Sequence, residues 1–140
     1  MDQLHESTMI SHQKIEAAWH RTVVMIAVWV EILVGISFLL VPNVQSQFIY
    51  GTTPVGIGDP WARFAGIALI SLGIACHPSR FAGTHRSAVR ALFIFNTAVT
   101  IFFAWVGVAT TFQGVLLCPV VMLHAILAIA LAFALRHENS

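Results

Sequence analysis

The chain has 140 residues, of which 58% are hydrophobic and only 9% charged, with a mean hydropathy of +0.83. A soluble domain carries roughly a quarter of its residues as charges, so this composition excludes one, and the length suits a single domain whose solvent is lipid. A formal net charge of +1 provides no basic face able to neutralise several phosphates, which excludes a nucleic-acid partner.

The first 21 residues carry Asp2, Glu6 and Glu16 and are too long and polar for the leading region of a signal peptide. They read as a cytosolic amphipathic lead-in, with Met9, Ile15, Ala18 and Trp19 loosely on one face and Trp19 at the depth of an interfacial anchor. The run from Thr22 to Val41 is unbroken and apolar for about 20 residues, enough to cross a hydrocarbon core of about 30 Å. Pro42-Asn43 ends it. The connection over 43–60 is rich in Gly and Pro and reads as irregular, with Phe48, Ile49 and Tyr50 in the headgroup layer. Gly51, Gly56 and Gly58 give it freedom to move, so it is expected to lid an apolar cavity on the outer side.

Asp59-Pro60-Trp61 is a helix-start pattern, with Asp as N-cap and Pro at the first helical position. The second membrane helix covers 61–76, where Gly66 and Gly73 make a smooth packing face, and His77-Pro78 stops it. A third helix is expected over 88–110 and a fourth over 115–135, joined by the tight turn Thr111-Phe112-Gln113-Gly114. Together these make an all-α integral membrane protein, a four-helix up-down-up-down antiparallel bundle forming one transmembrane domain over 1–140. Lys14, Arg21, Arg80, Arg86, Arg90 and Arg136 fall on one side and only Arg63 on the other, which predicts cytosolic termini. Cys76 and Cys118 fall at opposite ends of membrane helices, too far apart for a disulfide.

Three polar residues interrupt the apolar helices. Glu31 lies about 14 Å from the cytosolic end of the first helix, Asn96 about 12 Å into the third and His124 about 16 Å from the cytosolic end of the fourth. Glu31 shares a stripe with Gly35, Asn96 with Thr100 and Gly107, and His124 with Ala128 and Ala132, so all three face other helices rather than lipid. A carboxylate at the bilayer centre costs several kcal/mol and has to be neutralised, paired or turned inward. Two roles fit this trio. Buried polar side chains hold membrane helices together, at about 0.6–2 kcal/mol each. Alternatively, Glu31 and His124 share a proton as one coupled pair that Asn96 orients, doing general acid–base work.

A single intramembrane histidine argues against a metal or haem, and no cofactor is expected. His20, His77 and His85 gather at the cytosolic surface without diagnostic spacing, and Arg63 is placed to pair with Asp59 one turn earlier or with lipid phosphate, or to meet an anionic ligand from the outer side. Trp29, Phe93, Phe95, Phe102, Phe103 and Trp105 read as packing, although aromatic faces can also stabilise a passing carbocation.

Gly35–Asn43 (GISFLLVPN), Trp61–Arg80 (WARFAGIALISLGIACHPSR), Phe95-Asn96 and Cys118–Ala128 (CPVVMLHAILA) together resemble small four-helix membrane proteins of the DoxX-like kind, over nearly the whole chain. That resemblance implies a four-helix bundle; some such proteins are similar to subunits of quinone-linked oxidoreductases. It transfers no functional residue, because no catalytic motif matches position by position. A second resemblance, of type rather than motif, is to small integral-membrane cyclases and epoxide-opening enzymes of secondary metabolism, which also combine membrane helices with buried carboxylates. The expected function is acid–base chemistry (epoxide opening, cyclisation or isomerisation) on a lipophilic isoprenoid- or polyketide-like molecule at Glu31, Asn96 and His124. The alternative is a non-enzymatic accessory subunit or carrier. The expected partners are the bilayer and a lipophilic small molecule, with homo- or hetero-oligomers left open.

Overall fold

A computed structural model describes the backbone of residues 2–53, 56–78 and 86–137, and the side chains from 18 onward within those ranges up to 136. Arg80 and His85 lie outside the described residues, as do the side chains of Met9, Lys14 and Ile15. The described chain is all α-helical: α1 Asp2–Leu40, α2 Pro42–Tyr50, α3 Gly58–Ala75, α4 Arg86–Ala109 and α5 Leu117–His137. Three stretches, Ala18–Leu40, Arg86–Ala109 and Leu117–Arg136, are long and apolar enough to cross a membrane. α3 has 18 residues, and its first turns carry Asp59, Pro60 and Arg63.

Each boundary has a local cause. The lead-in and first apolar run form one continuous helix, since no Gly or Pro separates them. Val41 leaves helical geometry at φ −133° and ψ 55°, as a residue preceding proline tends to. Pro42 then starts α2, because its fixed φ suits the first helical position and its missing N–H would have had no partner there. Gly51 ends α2 in the left-handed region at φ 73°, its N–H donating to the Gln47 carbonyl at 3.0 Å.

The irregular connection expected over 43–60 is therefore helical for its first half. Its glycines begin only at position 51, so nothing before that breaks a helix. The expected N-cap Asp59 is also corrected. α3 begins two residues earlier, at Gly58 with Ile57 at the cap position and no side-chain cap, and Asp59 instead accepts from Arg63 Nε at 2.9 Å one turn on. That exposed pair stabilises little by itself. Arg63 does more through Nη1, which donates to the Leu39 carbonyl at 2.6 Å and satisfies an orphan acceptor at the end of α1.

The helices pack as two pairs, α1 on α3 and α4 on α5, with lighter contacts from α1 to α4 and α5. The first pair meets through backbone. A Cβ on Gly66 would stand 2.6 Å from the Gly35 carbonyl oxygen, and one on Gly35 would stand 2.7 Å from that of Gly66. Such closeness gives the dispersion contact that drives helix association in lipid, where no hydrophobic effect operates.

The second pair is tied to α2. Gly114 donates to the Ile49 carbonyl at 3.1 Å and Leu116 to that of Phe48 at 2.8 Å, an approach that leaves no room for a side chain at position 114. The close-packed core fills one half of the molecule. Val23, Val24, Ala27 and Val28 of α1 meet Ala88, Val89 and Leu92 of α4 and Leu127, Leu131 and Ala134 of α5. Towards the other end only a small cluster forms, around Ile49, Val106 and Leu117.

Gly66→Ala should lower stability by about 1–3 kcal/mol, because backbone carbonyls cannot step aside for the added methyl. Gly107→Ala is the control: its Cβ meets nothing nearer than a Leu117 methyl at 3.4 Å, so stability should hold or rise. Unfolding midpoints of the two variants in one detergent check this.

Candidate functional site: a polar floor beneath an apolar cavity

The packed half stops at the same level on three helices. One turn beyond Val28 stands Glu31, one turn beyond Leu92 stands Asn96, and one turn before Leu127 stands His124. Their exposures of 0%, 0% and 5% confirm that all three face inward. Asn96 Nδ2 donates to Glu31 Oε1 at 3.3 Å and to its own helix at the Leu92 carbonyl, 2.9 Å away. The Leu92 bond fixes the amide, so the α1–α4 contact has one defined orientation. His124 Nδ1 lies 2.8 Å from the Val120 carbonyl. A carbonyl only accepts, so that nitrogen carries the proton, and Nε2 of the neutral ring is left as an acceptor.

The expected direct Glu31–His124 pair is not formed. Among the described residues the only hydrogen-bond partner of Glu31 is Asn96, and the only partner of His124 is its own helix. Helix spacing predicts depth and face but not which of two inward neighbours a side chain meets. What joins the two residues is a cavity of about 750 Å³ that both line. Two buried oxygens of the trio, Glu31 Oε2 and Asn96 Oδ1, have no hydrogen-bond partner among the described residues, and of these two residues Glu31 lines the cavity. An orphaned carboxyl oxygen on a cavity-lining residue is chemically uncommitted: as an acid it donates a proton, as a carboxylate it accepts one.

The walls are apolar. Val34 and Phe38 of α1, Leu69 of α3, and Val99 and Phe103 of α4 rise from the floor. Ala65 and Ala68 line the cavity yet remain exposed, so the volume is open to the outside along α3 rather than sealed. The size falls within the range of about 300–1,000 Å³ typical of small-molecule sites.

α2 forms the far end. Gln45, Ser46, Ile49 and Tyr50 line the cavity there, so the expectation that the 43–60 segment sits over an apolar volume is met by a helix rather than a loop. Phe48 points away and is exposed. Tyr50 packs against Phe103 and Phe112 at ring-centroid distances of 6.0 and 5.9 Å, and burial raises its hydroxyl pKa above the ordinary 10.0. Tyr50 was expected over the cavity with Phe48 and Ile49, whereas Ser46 is a site residue absent from the sequence expectations. The signal for Ser46 was present: Pro42, Ser46 and Ile49 are spaced four and three apart, the period of one helix face. Cys76 and Cys118 are both free thiols. Among the described residues no group of three His, Cys, Asp or Glu side chains could hold a metal ion.

Asn96→Leu should cost about 1–3 kcal/mol, because it strips a buried carboxyl of its donor. The double variant Asn96→Leu/Glu31→Leu should recover much of that loss, since replacing both partners leaves nothing unsatisfied. Thermal unfolding of the three proteins measures both. No protein-family model, curated protein or solved structure matches this chain.

Proposed function

We propose that this protein is a multi-pass membrane enzyme performing acid–base chemistry on a lipophilic molecule of isoprenoid or polyketide type. The observation carrying the proposal is the unpartnered carboxyl oxygen of Glu31, a residue that lines an apolar cavity together with His124. Glu31 in its acid form donates its proton to an epoxide or carbonyl oxygen of the bound molecule. The opening of the C–O bond, or the polarisation of the carbonyl, is balanced by loss of a proton from the substrate to His124 Nε2. Asn96 holds the other carboxyl oxygen and so aims the acid. Return of the proton from His124 to Glu31 through bound water or product restores the starting state. The two residues act from separate positions on one substrate and need no contact with each other.

The second reading is an accessory subunit or carrier. The Asn96–Glu31 bond between α1 and α4 favours it, because such bonds also serve as glue between helices. Glu31→Gln separates the two. Gln keeps the shape and can still accept from Asn96, but it cannot give up a proton as an acid does. Cells expressing Glu31→Gln should show the lipid-extract mass profile of cells lacking the protein, while the variant folds and inserts. A wild-type profile would assign Glu31 to structure alone.

We further propose that α1, α3, α4 and α5 cross the membrane up-down-up-down, with both termini cytosolic and α2 at the outer side. Arg21, Arg86, Arg90 and Arg136 at one end, against Arg63 at the other, support that orientation, and Lys14 and Arg80 add to it from the sequence. A cysteine placed at Thr52 in a cysteine-free background should react with a membrane-impermeant maleimide on intact cells, and one at Ser87 should not. Labelling of Ser87→Cys from outside would reverse the orientation.

A further inference from the structure

The cavity is polar at both ends and apolar between them. Glu31 and His124 form the floor, while Gln45, Ser46 and Tyr50 of α2 line the opposite end. Ser46 is only 5% exposed, and neither its hydroxyl nor that of Tyr50 is hydrogen-bonded by a described residue. From Glu31 to Phe38, the α1 residues lining the two levels, the rise is seven residues, or about 10 Å. Val34, Leu69, Val99 and Phe103 cover that interval and present no polar atom from their side chains.

From this we infer that the ligand is a chain lipid with two oxygen functions, one held by Ser46 and Tyr50 at α2 and the second about 10 Å along the chain at Glu31 and His124. The inference rests on the cavity being the ligand site, as the proposed function holds, but not on any chemistry taking place there. A hydrocarbon leaves polar groups at both ends without partners, and a molecule with one oxygen leaves those at one end. Each unsatisfied buried group carries a desolvation cost, so the pair of ends selects a pair of oxygens. An oxygen in mid-interval would itself be stranded against the apolar wall. The floor prefers a hydroxyl: with Glu31 as acid donor and His124 Nε2 as acceptor, a hydroxyl satisfies both, whereas a ketone or ether satisfies only the first. An extended chain covers the interval in about eight zigzag bonds of about 1.5 Å each.

The orientation also suits a lipid. In the proposed topology α2 lies near the outer membrane boundary, so the first oxygen stays at interfacial depth while the second reaches the membrane interior.

The test uses the full chain in detergent and three saturated seven-carbon probes, whose end-to-end diol separates its oxygens by eight bonds: one with a hydroxyl at each end, one with both hydroxyls on adjacent carbons at one end, and one with a single hydroxyl. Concentration-dependent thermal stabilisation yields a Kd for each. The end-to-end diol should bind about 5–10-fold more tightly than either of the others, as one extra buried hydrogen bond allows. Ser46→Ala/Tyr50→Phe should erase that advantage while changing the single-hydroxyl Kd by less than about twofold. Tyr50→Phe alone should erase part of it, and it serves if the double variant unfolds. Affinity that follows apolar area, with the single-hydroxyl chain equal or best, would overturn the inference. A diol preference alongside a silent Glu31→Gln lipid profile would remove the enzymatic reading and leave this one standing; the opposite pair of results would do the reverse.

Discussion

A carboxyl group buried inside a membrane bundle imposes the constraint on which the rest of this structure depends. Glu31 has no exposure at all, and the only group bonded to it among the described residues is one amide N–H from Asn96. Removing such a group from water costs several kcal/mol unless its lone pairs are satisfied. The fold meets half of that requirement. It supplies one donor, fixes that donor by a bond to the Leu92 carbonyl, and leaves Oε2 of this cavity-lining residue buried without a partner among the described residues.

The division of the molecule into a packed half and an open half follows from how the helices are joined. Small residues let α1 and α3 touch backbone to backbone, and α4 and α5 pack on each other along their length. α3 thus leans on α1, with no comparable packing against α4 or α5. Valine, alanine and leucine fill the space between α1, α4 and α5 only up to the level of Glu31, Asn96 and His124. Beyond that level the pairs stand apart, and α2 closes the gap. Hydrogen bonds from Gly114 and Leu116 to the last carbonyls of α2 fix that helix at the far end of the cavity. The polar trio is therefore the ceiling of the core, and two of its members, Glu31 and His124, are also the floor of the cavity.

Much of this was legible in the residues, and the reasons for the rest are physical. Long apolar runs placed α1, α4 and α5, because backbone in lipid must satisfy its own hydrogen bonds. Depth arithmetic at 1.5 Å per residue brought Glu31, Asn96 and His124 to one level, and Gly35, Gly66 and Ala128 marked the packed faces. The short helix α2 was hidden, because the glycines of the second half of the 43–60 segment coloured the reading of the first half. Pro42 as a start and Gly51 as a stop were both in view. Matched depth brings Glu31 and His124 to one level without bringing them into contact. Two residues on the inner faces of neighbouring helices share a cavity more readily than a bond when the space between the pairs is unfilled. The docking of Gly114 on Ile49 joins residues 65 positions apart (114 less 49) and left no trace in local pattern.

The claim on which all of this converges is that the cavity is a ligand site, and filling it is the most direct test. Ala68 lines the volume on α3 and is exposed to it, so Phe at that position occupies space without touching the polar floor or the α1 contact at Gly66. Lipids co-purifying with wild type and with Ala68→Phe can be compared by mass spectrometry after identical detergent washing. The account predicts an oxygenated lipid retained by wild type and lost from Ala68→Phe at unchanged fold. The same lipid complement on both proteins would contradict it.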